Sequence, residues 1–146
     1  AFTASRFAAH GIDASRVEMV GWVPDDAGHL GTYNKVDIAL DTYPYSGTTT
    51  TCEALWMGVP VLTRAGTTHA SRVTASLLHS VGLDGWVADS ADGFVDQAMR
   101  ASGDVAGLRD LRRGLRARMH ASPLCEGASY AAAVEAVYRE MWVAGS

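Results

Sequence analysis

The chain is poor in several things. It has a single lysine, Lys35, among 12 basic residues in 146. A nucleotide loop of the G-x-x-x-x-G-K type needs a lysine beside its glycines, so that class is excluded. There are two cysteines, Cys52 and Cys125, with no C-x-x-C spacing. That is too few for a disulfide framework and the wrong pattern for a zinc site, and it fits reduced thiols in the cytoplasm. His10, His69, His79 and His120 show no metal-ligand spacing among themselves. No apolar run reaches the length of a membrane span. The net charge of −4 argues against a general nucleic-acid binder, which would be basic.

What remains is an ordinary globular composition, 48% hydrophobic and 19% charged. "AFTASRFAAHGI" reads as a helix stopped at Gly11, so the chain is expected to be a piece of a longer protein. Four stretches then read as strands: "RVEMVGW" from Arg16, "VDIALDT" from Val36, "VPVLT" from Val59 and "GWVAD" from Gly85. Helices alternate with them. One starts behind Asp25 as N-cap and holds His29, Leu30 and Tyr33; one is stopped at Gly58 and another at Gly82. From Ser90, itself a cap, the text is helical. Val105, Leu108, Leu111, Leu115 and Met119 form one stripe, and Tyr130, Val134, Val137, Tyr138 and Trp142 form another. Alternation of this kind predicts an α/β fold, a Rossmann-like parallel sheet with helices on both faces.

The ligand crevice of such a sheet lies beyond the carboxyl ends of its strands. "YPYSGTTTTCEALW" follows "VDIALD" directly and falls there. The first turn of a helix has unpaired N–H groups and a positive dipole end, so it attracts phosphate. Gly47 would let the backbone approach, and the hydroxyls of Thr48, Thr49, Thr50 and Thr51 would add donors. Glu53 stands three residues after Thr50. It can close a capping box with Thr50, or it can accept hydrogen bonds from a ribose diol. The sequence leaves both open. Arg109, Arg112, Arg113, Arg116 and Arg118 read as a solvated helix face, or else as a docking surface for a partner.

The stretch from Val36 to Leu83 resembles the C-terminal catalytic lobe of the O-linked N-acetylglucosamine transferase family and its Spindly-like relatives. The resemblance rests on Leu40-Asp41-Thr42, Pro44-Tyr45-Ser46, Thr48-Thr49-Thr50, Glu53-Ala54-Leu55-Trp56, Ser71-Arg72-Val73 and Ser76-Leu77-Leu78. It implies that residues 1–146 are a partial C-terminal lobe, incomplete at its N-terminus, of a GT-B glycosyltransferase. It implies inverting transfer, without an essential metal or other cofactor, from a UDP-sugar, UDP-GlcNAc by family, to Ser or Thr hydroxyls of a protein. The acceptor would be met through an N-terminal lobe outside this chain, with no nucleic acid and no membrane as partner. By resemblance, Thr49 and Thr50 hold the diphosphate, Glu53 is the ribose-side carboxylate and His29 lies against the uracil. Gly47 and Thr48 complete the donor-binding set, and no catalytic base is assigned.

Four positions depart from the family pattern. Thr48 replaces a histidine, Thr32 a basic residue, Ser46 an asparagine and Glu53 an aspartate. They keep two other readings open: a degenerate lobe that binds a nucleotide or a partner without transfer, and another GT-B enzyme.

Overall fold

A computed structural model describes residues 2–145. Its sheet has three parallel strands, β1 (Ala39–Leu40), β2 (Val61–Arg64) and β3 (Val87–Ala88), in the order β1-β2-β3. Ala39 is in register with Val61, and Thr63 with Val87. Before the sheet come α1 (Phe2–Ala9) and α2 (Asp26–Thr32). Between strands run α3 (Thr49–Trp56) and α4 (Val73–Ser80). After it come α5 (Ala91–Gly103), α6 (Val105–His120) and α7 (Gly127–Ala144).

Local signals set most of these boundaries. The Asp25 side chain accepts the Gly28 N–H at 2.7 Å and starts α2. Ser90 accepts from Gly93 and starts α5, and Asp104 accepts from Gly107 and starts α6. Gly58 at φ +78° and Gly82 at φ +68° end α3 and α4, since the left-handed region is cheap only for glycine.

Two successive right-handed crossovers in one direction along a parallel sheet place both helices on one face. The core shows this arrangement. Val61 and Ala39 meet Ala54 and Leu55 of α3, Leu78 of α4, and Leu115 and Met119 of α6. Burying each such leucine contributes about 1.5–3 kcal/mol. The opposite face of β2 belongs to α5, where Leu62 lines a groove with Gln97, Arg100 and Ala101. Helices therefore cover both faces, and the fold is α/β.

Three expectations are corrected. "RVEMVGW" forms no strand among the described residues. It runs as irregular chain with Met19, Val20 and Trp22 exposed, because no neighbouring strand lies beside it to take up its backbone groups. "VDIALDT" narrows to the two residues that pair with β2. The apolar stripe of α7 is not buried: Tyr130, Val137, Tyr138 and Trp142 are exposed, and only Val134 is partly covered. Periodicity identifies an apolar face but says nothing of whether another surface is present to cover it. The α6 stripe fares better. Leu115 and Met119 are buried, Leu108 and Leu111 are half-buried, and Val105 at the helix start is exposed.

Candidate functional site

The loop after β1 is folded by one carboxylate. Asp41 accepts the Gly47 N–H at 2.8 Å on Oδ1 and the Thr63 hydroxyl at 2.7 Å on Oδ2. It thereby ties the loop to β2. Buried Ser46 donates its N–H to the Ala70 carbonyl at 2.9 Å, which fastens the same loop to the one after β2. A Cβ on Gly47 would lie 2.7 Å from Thr51 Oγ1 and 2.8 Å from Thr50 Oγ1. Only glycine fits where the backbone turns this closely into α3.

The four threonines have different roles. Thr51 is buried and hydrogen-bonds Thr74 hydroxyl to hydroxyl at 3.0 Å; Thr74 also donates to the Gly47 carbonyl at 2.9 Å. Thr51 and Thr74 are thus internal supports of the loop. Thr48, Thr49 and Thr50 are exposed. Thr48 is the N-cap residue of α3, yet no side chain caps the helix. The capping box between Thr50 and Glu53 does not form. The first N–H groups of α3 thus have no N-cap side chain bonded to them, at the carboxyl end of β1, and a helix end of this kind carries partial positive charge.

Glu53 turns instead toward α2. His29 Nε2 lies 3.0 Å from Glu53 Oε2. The Tyr33 hydroxyl lies 3.2 Å from the same oxygen and 3.3 Å from the Thr50 carbonyl. The His29 and Tyr33 rings meet edge to face, 6.0 Å apart at 86°. Burial first, and then the adjacent Glu53 charge, push the Tyr33 phenol up to about 12, so it stays a hydrogen donor at neutral pH. This cluster lies between two clefts. One, of about 210 Å³, runs along β1 and the start of α3 and is lined by Tyr33, Leu40, Asp41, Gly47 and Thr50. The other, of about 450 Å³, is lined by Asp26, His29, Leu30, Cys52, Glu53 and Trp56. Burial also raises the Cys52 thiol, with Cys125 and Glu53 adding to the shift, so Cys52 is an inert wall residue.

Sequence reasoning picked out His29, Gly47, Thr48, Thr49, Thr50 and Glu53. The structure joins His29 to Glu53 by a hydrogen bond and packs Gly47 against Thr50. Sequence reasoning gave no site role to Tyr33, read only as a helix residue, to Asp41, quoted only within the family resemblance, or to Thr63 and Thr74, which build the loop. The one signal for Asp41 was an acidic residue placed directly behind the stretch that reads as a strand, "VDIAL". Arg64 was missed as well. It ends β2 with its guanidinium 4.2 Å from the centre of the Tyr43 ring, and its buried Nε has no hydrogen-bond partner. Among the described residues no group of three His, Cys, Asp or Glu side chains could hold a metal ion. No helix of the described residues is long and apolar enough to cross a membrane.

Residues 3–134 match the family model of glycosyl transferase family 41. The chain is 45% identical over 132 residues to the tomato (Solanum lycopersicum) protein called probable UDP-N-acetylglucosamine--peptide N-acetylglucosaminyltransferase SPINDLY. That alignment covers 90% of this chain and 14% of the relative. A Caenorhabditis elegans UDP-N-acetylglucosamine--peptide N-acetylglucosaminyltransferase is 30% identical over 132 residues, 90% of this chain and 11% of its own. Among solved structures, a mutant of the Thermobaculum terrenum O-GlcNAc transferase superposes with a TM-score of 0.87 at 39% identity. It covers 97% of this chain and 28% of that one. The chain therefore spans about a seventh of the curated relatives that it matches at 45% identity.

Proposed function

The chain belongs to glycosyl transferase family 41, and from that premise we propose that it is the nucleotide-sugar-binding part of a C-terminal GT-B lobe. The enzyme carrying it is an inverting, metal-independent glycosyltransferase of the cytoplasm. Its donor is a UDP-sugar, UDP-N-acetylglucosamine in keeping with the names of its relatives. Its acceptors are protein Ser and Thr hydroxyls, brought in by a lobe outside this chain. The observation that carries this reading is the uncapped start of α3, open to solvent beside Glu53 at the carboxyl end of β1.

In inverting transfer the acceptor hydroxyl attacks the anomeric carbon from the side opposite the departing diphosphate. Charge builds on the diphosphate as the glycosidic bond breaks. Donors already aimed at that charge lower the barrier. The α3 amides and the Thr49 and Thr50 hydroxyls are such donors, and Gly47 keeps the approach clear. Glu53 accepts from the ribose, and the 450 Å³ cleft beside His29 receives the base.

The test is turnover of UDP-N-acetylglucosamine by the full-length protein with Thr49→Val and Thr50→Val together. Loss of one pre-aimed donor costs about 10²–10³ in rate, so a fall of at least about a hundredfold is expected. Unchanged turnover overturns the diphosphate assignment. Calorimetry with UDP, GDP and ADP separates the alternatives. Binding of UDP without turnover identifies a degenerate binding lobe, a reading motivated by Thr48 and Thr32 standing where the family has basic groups. Preference for another nucleotide identifies a different donor.

A further inference from the structure

We infer that Tyr33 and His29 form a clamp on one oxygen of Glu53, leaving the other oxygen as a fixed acceptor that selects ribonucleotides over deoxyribonucleotides. The inference rests on the donor-site reading above and deepens it.

A carboxylate offers about four acceptor positions, two on each oxygen. Oε2 of Glu53 faces two donors from one short segment, the Tyr33 hydroxyl at 3.2 Å and His29 Nε2 at 3.0 Å. His29 serves when Nε2 carries the hydrogen. Oε1 has no hydrogen-bond partner among the described residues. The two oxygens of Glu53 are therefore not equivalent: one is spent on the protein and the other is kept for a ligand. Tyr33 is a neutral donor, held rigid by its half-buried ring, by its edge contact with His29 and by the core residues it packs against. Its hydroxyl also reaches the Thr50 carbonyl at 3.3 Å. It therefore links the α3 turn that meets the phosphates to the carboxylate one helical turn further on. Neither Tyr33 nor His29 needs to touch the reacting atoms for this. They are positioning residues.

Fixing a free acceptor is what ribose recognition needs. A glutamate has three rotatable bonds and loses entropy when a ligand orders it. Two donors on Oε2 remove that freedom before the ligand arrives. A ribose hydroxyl then meets a pre-oriented acceptor, while a 2′-deoxyribose offers one donor fewer.

The experiment measures dissociation constants of UDP and 2′-deoxy-UDP by calorimetry on the full-length protein, with GDP and ADP pairs in parallel. The readout is the deoxy-to-ribo ratio for the nucleotide bound most tightly. The wild type is expected to prefer the ribonucleotide by about tenfold, the scale of one charge-assisted hydrogen bond. Tyr33→Phe keeps the ring and removes the donor, and the ratio should fall to about threefold or less. His29→Ala, at a side chain 47% exposed, removes the other donor and should lower the ratio in the same way even if the Phe variant is unstable. A purely structural role would weaken both nucleotides equally and leave the ratio alone, so an unchanged ratio in both variants overturns the clamp. If the folded wild type binds no nucleotide, the donor-site reading falls and the clamp with it. If it binds with wild-type discrimination retained in the variants, only the clamp falls.

Discussion

Gly47 shows how one residue can fix the packing of a turn. A methyl group there meets the Thr50 and Thr51 hydroxyls at under 3.0 Å. Thr51 cannot simply rotate away, because its hydroxyl is held by Thr74 in the interior. Overpacking a tight site costs about 1–3 kcal/mol. Gly47→Ala is therefore expected to lower the unfolding free energy by about that amount, read as a shifted denaturation midpoint. It should also weaken donor binding, because the shift it forces moves the Thr50 side chain. An alanine variant with wild-type midpoint and affinity would contradict the close packing. Thr48, Thr49 and Thr50 look identical to Thr51 in sequence, but burial separates them. A hydroxyl bonded internally at 3.0 Å is committed, whereas the three exposed ones are available to a ligand.

At the scale of elements, stops and starts were legible because they are local. Asp25 and Ser90, read as caps, each cap the helix they precede within three residues, and the structure adds Asp104 as a third cap of the same kind. Gly58 and Gly82 end α3 and α4 in left-handed geometry. The two glycines differ in a way only the tertiary structure reveals. A Cβ on Gly58 would sit 3.0 Å from the Arg112 carbonyl of α6, whereas one on Gly82 meets nothing within 4 Å. Both alanine variants bear the left-handed penalty of roughly 1–2 kcal/mol. Gly58→Ala adds the displacement of α6, so its loss in chemical denaturation should clearly exceed that of Gly82→Ala. Equal losses would mean that α6 moves aside at no cost. Arg112 reinforces the same contact by donating to the Val36 and Asp37 carbonyls. That places one member of the basic cluster in a structural role. Arg116 is similarly used, donating to the Trp56 carbonyl at 2.8 Å, while Arg113 pairs with Asp110 on the helix surface.

The molecule as a whole has a well-buried centre and apolar outer elements. Core residues cluster between β2, α3, α4 and α6. The outer helix α7 leaves Tyr130, Val137, Tyr138 and Met141 exposed, and α1 leaves Phe2 exposed. Apolar surface of this extent favours association. Expressed by itself, the chain should sediment as concentration-dependent oligomers, and Val137→Lys with Tyr138→Lys should shift it toward monomer. A chain that is strictly monomeric at all concentrations would show that this surface is harmless in water. The alternation in "RVEMVGW" belongs to the same scale. Its pattern is strand-like, but a strand needs a neighbour, and among the described residues none lies alongside.

The amino-acid sequence by itself determined the caps, the glycine stops, the α/β alternation, the threonine-rich turn and the family likeness. All of these depend on interactions within one turn or on short runs of residue types. Tertiary structure alone decided which threonine is interior, since Thr74 lies 23 residues from Thr51. It also decided that Glu53 abandons its own helix cap for His29 and Tyr33, 24 and 20 residues away. A carboxylate takes whichever donors the fold brings within about 3 Å, and sequence spacing does not record which those will be.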